Sequence, residues 1–331
     1  MHTRIINRGQ LRYRHARRIA RDNSHIVRPG RDQIHIRRSA INDEHRIVYR
    51  VEGDELREKA RIPDAGPGLF HVDAADVTRN GVADIIAVRY AGGKALSDIW
   101  QFDGKEYRKI SSDLPYFLRT ADLGPEGIVL LGQASDPVMI FQGPVFRIAV
   151  HRDGKTEVKD RDRPLPLPEG TFLYGFTSLR KGKGVRYAVL TDRNRILYLD
   201  ETGKELWVGL DAVTGTEISL DGTDRRLQVP GRMAAVDLDR DGTDELVVLN
   251  DLVAAGTYFE NLRVFAQAEI LCFAQGDTGL QLAWRSPQLD ASARDLLADR
   301  SAPTAIRYAV ASRDRAKLIG AAAQWRVLWV K

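Results

Sequence analysis

Short apolar runs alternate with polar, glycine-containing turns along most of the chain. Runs such as "ADIIAVRY", "VRYAVLTD" and "DELVVLN" are strand-length and partly β-branched, with polar residues at their ends. This is the pattern of buried β-strands bounded by turns. Amphipathic helical stripes do not extend beyond about two turns. The pattern therefore predicts an all-β protein.

The turns recur at a nearly constant interval. Five hairpin-like turns each contain a glycine between two strand-like runs, at Gly53, Gly104, Gly154, Gly203 and Gly279. The first four are 51, 50 and 49 residues apart, and the fifth follows after 76 residues that include additional polar loops near 209–228 and 250–260. Asp-Gly or Thr-Gly between alternating apolar runs favours a β-hairpin. The constant spacing indicates an internal structural repeat.

Each repeat has the same order of elements, namely a strand, a glycine-rich or acidic loop, an apolar strand, a third strand, a hairpin and a fourth strand. Four short strands in roughly 40–50 residues are typical of one blade of a β-propeller. We therefore predict a propeller of four-stranded antiparallel blades. About six blades are expected, five of them clear and one partial at the N-terminal side, and seven remain an alternative. They should lie near residues 41–66, 67–112, 113–163, 166–211, 229–288 and 290–331.

The last unit stops at Lys331 one strand short of four. A propeller ring has to close, so one hypothesis is that a strand from the N-terminal region completes the last blade. The alternative is that the chain is part of a longer propeller. In either case residues 41–331 are expected to form a single propeller domain.

The first part of the chain differs in composition from the rest. Residues 1–50 contain 13 Arg, no Lys and four acidic residues, a net charge of +9, although the whole chain carries only +5. A basic arm of this kind can bind nucleic acid or an anionic surface. Its Arg- and His-rich, Lys-free composition also fits a disordered tail or a start region foreign to the native protein. We expect an atypical or disordered segment at 1–40, and nucleic acid is not the expected partner.

One loop concentrates carboxylates. In "VDLDRDGTDELVVLN", Asp237, Asp239 and Asp241 alternate, Gly242 allows a sharp turn, and Glu245 begins the next apolar run. A helix–loop–helix calcium site would need Glu at position 12, where this chain has Val248. The apolar flanks instead predict a strand–loop–strand calcium clip. Its expected ligands are Asp237, Asp239, Asp241, the carbonyl of Thr243 and Glu245, since Ca²⁺ prefers hard oxygen donors. A plain acidic turn is the alternative.

A second loop has the same spacing with fewer charges. In "DVTRNGVAD", the residues at the ligand offsets are Asp76, Thr78, Asn80 and Asp84. Because fewer carboxylates are available, we expect weaker Ca²⁺ binding there. The corresponding loops of the other units have lost most of these residues. The loop is therefore expected to be structural, with the ion optional from blade to blade.

These two loops carry a family resemblance. The pattern D-x-D-x-D-G-x-D-E-L-V-V and its variant D-x-T-x-N-G-x-x-D-I-I resemble the FG-GAP or VCBS repeat, which occurs in integrin-α-like propellers and in many bacterial exported proteins. The resemblance covers roughly residues 30–331. It implies Ca²⁺ at the first, third, fifth and ninth loop positions. The ninth position is usually Asp, so Glu245 is a departure.

No catalytic set can be assembled from motifs. The chain lacks a phosphate-binding loop, a nucleophile elbow and the common zinc and dithiol motifs. Beyond residue 50 only His71 and His151 remain. We therefore expect a non-enzymatic, calcium-stabilised propeller that binds a protein or glycan partner, with the long insertions at 209–228 and 250–260 as candidate surfaces. The alternative is a propeller enzyme, hydrolase or lyase-like, with its active site at one mouth of the central channel.

The sequence also constrains the compartment. The longest apolar stretches are strand-length, so no transmembrane helix is expected. The basic start lacks an apolar core and a cleavage site, so it is not a secretory signal. The single cysteine, Cys272, excludes an internal disulfide. By resemblance the expected location is periplasmic, outer-membrane-associated or secreted.

Overall fold

A computed structural model describes the backbone of this 331-residue chain over most of its length. The described residues are 19–20, 25–27, 34–38, 45–52, 55–63, 69–136, 140–213, 216–219, 226–229, 233–253, 265–289, 292–298, 306–312 and 324–330. Part of the predicted insertions, including 220–225 and 254–260, lies outside them, as do the hairpin glycine Gly53 and much of residues 1–40.

The described residues form 26 strands. The first nine are β1 Ile19–Ala20, β2 His25–Val27, β3 Ile34–Arg38, β4 His45–Glu52, β5 Glu55–Pro63, β6 Leu69–Ala75, β7 Asp84–Ala91, β8 Lys94–Phe102 and β9 Tyr107–Leu114. The next eight are β10 Tyr116–Asp122, β11 Ile128–Asp136, β12 Ile140–Val150, β13 Thr156–Lys159, β14 Phe176–Lys181, β15 Gly184–Leu190, β16 Arg195–Leu199 and β17 Glu205–Ala212. The last nine are β18 Thr216–Ser219, β19 Arg226–Val229, β20 Met233–Val236, β21 Glu245–Val253, β22 Phe265–Gln275, β23 Leu280–Arg285, β24 Ser292–Ala298, β25 Ile306–Ser312 and β26 Gln324–Val330.

The only helical element in the described ranges is a 3-10 turn at Gly124–Glu126. Accordingly, no helix in those ranges has the length and apolar character of a membrane span.

Twenty-four of these strands pair into six four-stranded antiparallel sheets. The sheets are β2–β5, β6–β9, β10–β13, β14–β17, β20–β23, and a last one in the order β1, β26, β25, β24; the two-stranded sheet β18–β19 is separate. In the first five, each strand pairs with the next one along the chain, as expected for consecutive hairpins. The predicted β-propeller of four-stranded blades is confirmed.

The first strand of each sheet lies next to the first strand of the following sheet. Contacts run from β2 to β6, β10, β14, β20 and β24, and from β24 back to β2, which closes a ring. The last sheet takes its outer strand from the other end of the chain, where Ile19 pairs with Trp325 and Ala20 with Gln324. The propeller was predicted to begin at residue 41, but β1, β2 and β3 all precede that residue and belong to its sheets.

The core consists of apolar side chains packed between neighbouring sheets. Phe117 of β10, Leu131 of β11 and Phe176 of β14 are fully buried in one large cluster. Separate clusters fill the spaces on either side of the sheet β20–β23, where Val247 and Val248 belong to different clusters. This alternation follows from the pleat, because successive residues of a strand face opposite sides. Strands covered on both faces therefore read as continuous apolar runs.

Two of the repeating hairpin glycines, Gly154 and Gly279, lie where neighbouring sheets approach closely. A Cβ on Gly154 would lie 1.9 Å from the carbonyl oxygen of Ile110 in the preceding sheet. A Cβ on Gly279 would lie 2.5 Å from Cδ1 of Trp207, again in the preceding sheet. A side chain at either position would displace its neighbour. At these two positions glycine is favoured by packing between sheets, whereas at Gly104, where a Cβ would meet nothing within 4 Å, it is favoured by a φ of 100°.

Candidate metal centre

The acidic loop connects the inner strand β20 to β21. Val236 before the loop and Leu246 after it are fully buried, so both ends are fixed in the core. Between them Arg240 and Gly242 adopt left-handed backbone conformations, with φ of 66° and 88°. Glycine reaches that region without steric cost, whereas arginine does so less readily. The loop thus turns sharply between two anchored strands.

The first aspartate of the loop organises its backbone. Asp237 Oδ1 accepts a hydrogen bond from Asp241 N at 3.0 Å, and Asp237 Oδ2 accepts one from Gly242 N at 3.1 Å. Asp241 Oδ1 accepts one from Thr243 N at 2.7 Å. Side-chain acceptors of this kind replace the backbone partners that a tight loop lacks.

Three of the five predicted ligands converge. Oxygen atoms of Asp237, Asp239 and Glu245 lie within 4.8 Å of one another. Asp241 is outside this group, and Thr243 lies opposite Lys181 of the neighbouring sheet in an isolated bridge. Burial, followed by repulsion from Asp239, Asp241 and Asp237, raises the pKa of Glu245 to about 7. The arrangement concentrates negative charge that a cation would neutralise.

The loop at 76–84 has a closely similar backbone. Asp76 accepts hydrogen bonds from Asn80 N and Gly81 N, both at 2.8 Å. Asn80 Oδ1 accepts one from Val82 N at 2.8 Å. Arg79 and Gly81 are left-handed, with φ of 55° and 86°. Each contact has a counterpart in the acidic loop, which supports the repeat alignment made from the sequence.

The two loops differ at the third position. Thr78 is buried, and its hydroxyl donates to Asp84 Oδ2 at 2.9 Å. The same oxygen accepts hydrogen bonds from Thr78 N and Val77 N. Burial raises the pKa of Asp84, while these hydrogen bonds lower it. Protein donors thus surround one oxygen of Asp84, whereas Oδ1 is buried without a hydrogen-bond partner. The ligand roles of these residues stay predictions.

Asp244 is not one of the ligands predicted from the sequence. Its side chain is fully buried, and Oδ1 accepts a hydrogen bond from Arg180 Nη2 at 2.9 Å. Hydrogen bonding to this carboxylate raises the pKa of Arg180. The loop contains five acids and the predicted clip uses four of them, so the remaining acid was the only signal in the sequence that pointed to Asp244.

The two isolated histidines have different surroundings. His71 on β6 is buried, its Nε2 lies 3.4 Å from Asp73 Oδ2, and its ring packs against Tyr174 with centroids 4.6 Å apart. Asp73 Oδ2 also accepts a hydrogen bond from Thr120 N on the next inner strand. His151, in contrast, is exposed near Glu157. An imidazole beside a carboxylate on an inner strand is a group that can take part in proton transfer.

Comparison with known proteins shows the fold. No family model and no curated protein matches the chain. The GH93 α-L-arabinofuranosidase of Fusarium graminearum in complex with arabinobiose is similar at 13% identity and TM-score 0.53, with 90% of this chain and 89% of that one covered. A candidate 6-phosphogluconolactonase from Bacteroides uniformis has 13% identity, coverage of 91% and 85%, and TM-score 0.45. BamB from Moraxella catarrhalis has 13% identity, coverage of 95% and 99%, and TM-score 0.36.

These findings correct one expectation and leave another open. We predicted a non-enzymatic protein because catalytic motifs were absent. That prediction is wrong, because a glycosidase shares the fold over nearly the whole of both chains. Propeller active sites are built from loops rather than from a linear motif, so the absence of motifs could not exclude an enzyme. The findings do not reach the FG-GAP or VCBS class, which stays a prediction.

Proposed function

We propose that the chain is a calcium-binding β-propeller of the FG-GAP or VCBS type, with Ca²⁺ held at the loop 237–245. The convergence of carboxylate oxygens from Asp237, Asp239 and Glu245 within 4.8 Å carries this proposal. Hard oxygen donors fit Ca²⁺, which takes six to eight oxygens in protein sites. Asp241 and the Thr243 carbonyl would contribute further oxygens.

The electrostatics of the loop support a cation. The pKa of Glu245 at about 7 means that the folded loop holds this carboxylate in its charged form only at an energetic cost. A bound divalent ion would supply the missing positive charge. Millimolar Ca²⁺ is typical of extracytoplasmic compartments, so the proposal also favours a periplasmic, outer-membrane-associated or secreted protein.

The test is thermal unfolding of the full chain in millimolar Ca²⁺ and again in excess EDTA. A cation that binds only the folded state adds about 2.7 kcal/mol at a hundredfold excess over Kd. We expect a clear rise in Tm with Ca²⁺, and a much smaller rise in Asp239→Ala. Equal melting temperatures in Ca²⁺ and EDTA would mean that the acidic loop is a plain turn.

A second candidate function is that of a hydrolase acting on a glycan, with its site near the start of the inner strand β6. The buried His71–Asp73 pair, 3.4 Å apart, is the observation that favours it. Next to this pair, Arg119 of β10 donates to the carbonyl oxygens of Leu173 and Phe176 and so holds the segment that carries Tyr174. The related fold with bound arabinobiose supports a glycan as the substrate class.

The hydrolase proposal is tested by assaying the full chain against chromogenic glycosides, including an aryl α-L-arabinofuranoside. His71→Gln should lower kcat by about a hundredfold or more, in the range of general acid–base contributions. His151→Gln is the matched control, because that histidine is exposed. Absence of turnover by the wild-type chain, or equal activity of His71→Gln, would count against this candidate.

A further inference from the structure

The residue between Thr243 and Glu245 connects the acidic loop to the neighbouring sheet. Arg180 stands at the end of β14, the inner strand of the sheet β14–β17. Asp244 Oδ2 accepts a hydrogen bond from Arg180 N at 2.9 Å, and Asp244 N donates to Arg180 O at 2.9 Å. The guanidinium Nη2 reaches Asp244 Oδ1 at 2.9 Å. Hydrogen bonds therefore join Arg180 and Asp244 through their main chains as well as through their side chains.

A glutamine of the sheet β20–β23 adds further hydrogen bonds to the contact between Arg180 and Asp244. Gln275, at the end of β22, donates from Nε2 to the carbonyl oxygens of both Arg180 and Asp244. Its Oε1 accepts a hydrogen bond from the hydroxyl of Tyr198 on β16 at 2.7 Å. Lys181 donates to the carbonyl oxygen of Gly276 at 2.7 Å. Every partner in this network belongs to one of two adjacent sheets.

Arg180 also contacts the sheet on its other side. The 3-10 turn Gly124–Glu126 contacts β14. A Cβ on Gly124 would lie 2.7 Å from Cγ2 of Val185 and 3.9 Å from Cγ of Arg180. The aliphatic part of Arg180 thus packs beside one neighbouring sheet, while its guanidinium pairs with the other. The tip of the β14–β15 hairpin is held from both sides.

We propose that the Asp244–Arg180 pair transmits cation binding at the acidic loop to the sheet β14–β17. The inference rests on the proposed calcium site. A cation that fixes Glu245 restrains the adjacent Asp244. Asp244 in turn restrains Arg180, because its carboxylate accepts from Arg180 N, Nε and Nη2 and its amide donates to Arg180 O. Calcium then stabilises the junction between two sheets, in addition to the loop. The equivalent position in the loop 76–84 is Ala83, which has no such side chain.

Hydrogen exchange on the full chain, with and without Ca²⁺, tests the coupling. In the wild type, Ca²⁺ should slow exchange by about tenfold or more in residues 176–190 as well as in 237–253, because local opening limits exchange. In Arg180→Gln the slowing should persist in 237–253 and be lost in 176–190. Arg186→Gln is the matched control, since Arg186 pairs with Glu201 inside the same sheet and should behave as wild type.

Calorimetric titration of the same samples separates the two proposals. If Ca²⁺ does not bind the wild type, the calcium site fails and the coupling fails with it. If Ca²⁺ binds but slows exchange only in 237–253, the coupling alone is overturned. If Arg180→Gln does not fold, Asp244→Asn removes the same ion pair with a nearly isosteric side chain and should give the same loss in 176–190.

Discussion

The loops at 76–84 and 237–245 share most of the hydrogen bonds that their backbone amides make. In each, the first aspartate accepts hydrogen bonds from the fourth and fifth following amides. In each, the last acid accepts one from the second residue of the loop. The two loops differ at the third position, where Thr78 occupies the place of Asp239.

That difference decides what each loop requires. The Thr78 hydroxyl donates to Asp84, so the chain itself supplies a partner for the buried acid. Asp239 has no hydroxyl donor to offer in that place, and its repulsion contributes to raising the pKa of Glu245. A closely similar backbone is therefore compatible with a loop in which a hydroxyl bonds the last acid and with one that, as we propose, binds a cation. Because both loops make these amide hydrogen bonds, the hydrogen bonds alone do not identify a metal site.

The largest effect should follow from removing Asp84, whose Oδ2 accepts three hydrogen bonds within the loop. Asp84→Ala leaves three donors without an acceptor, two of them on buried Thr78. We expect the free energy of unfolding to fall by about 3 kcal/mol, equally in Ca²⁺ and in EDTA. Urea denaturation measures it, with the exposed Glu169→Ala as control. A loss that is larger in Ca²⁺ than in EDTA would show that this loop also binds the cation through Asp84.

Converting the acidic loop into its counterpart should abolish the calcium response. In Asp239→Thr we expect the gain of about 2.7 kcal/mol at a hundredfold excess of Ca²⁺ over Kd to disappear. In EDTA the variant should be more stable than wild type by about 1 kcal/mol, because a like charge is lost and a hydroxyl donor gained. Thermal melts check both values, with exposed Asp192→Thr as control. An undiminished calcium response would remove Asp239 from the ligand set.

The reverse substitution should create a requirement for the ion. Thr78→Asp places a second carboxylate beside buried Asp84, and we expect a loss of about 2 kcal/mol in EDTA. Ca²⁺ should recover part of that loss. Thr78→Asn, similar in shape but uncharged, is the control and should show no calcium response. Equal stability of Thr78→Asp in Ca²⁺ and EDTA would indicate that this loop cannot hold the ion.

The smallest effect concerns pH. The folded-state pKa of Glu245, about 7, lies above its ordinary value of 4.5, so the native state binds the proton more tightly. In EDTA the contribution of Glu245 to the free energy of unfolding should therefore be greatest below pH 4.5. It should fall as the pH rises towards 7. Allowing for partial exposure, about 1–2 kcal/mol is expected. Glu245→Gln should flatten the profile, whereas the control, exposed Glu205→Gln, should leave it unchanged.

The architecture could be predicted from local sequence signals because the same signals recur from one repeat to the next. Glycines at hairpins and apolar strands recur along the chain, and close packing at Gly154 and Gly279 explains why a side chain is disfavoured at those two positions. The convergence of Asp237, Asp239 and Glu245 was also predictable, since a short loop between two anchored strands leaves few places for these side chains.

The remaining features depend on contacts between distant residues. Arg180 and Asp244 are 64 positions apart, and no local pattern says which hairpin meets the acidic loop. Thr78 occupies a ligand offset and was therefore interpreted as a weak ligand, although its hydroxyl donates to Asp84. His71 was treated as isolated because its ring neighbour Tyr174 is distant in sequence, in the segment that precedes β14. Such pairings are fixed by the order of sheets around the ring.

The sheet that joins the two ends of the chain has a consequence for biosynthesis. Ile19 emerges from the ribosome long before Trp325, its partner strand residue. β1 therefore has to wait unpaired until β26 has been translated. Contacts of such sequence separation slow folding, although the entropy of closing the ring grows only logarithmically with length. The nascent chain can complete its central sheets one after another, but the circle itself closes only after translation has passed β26.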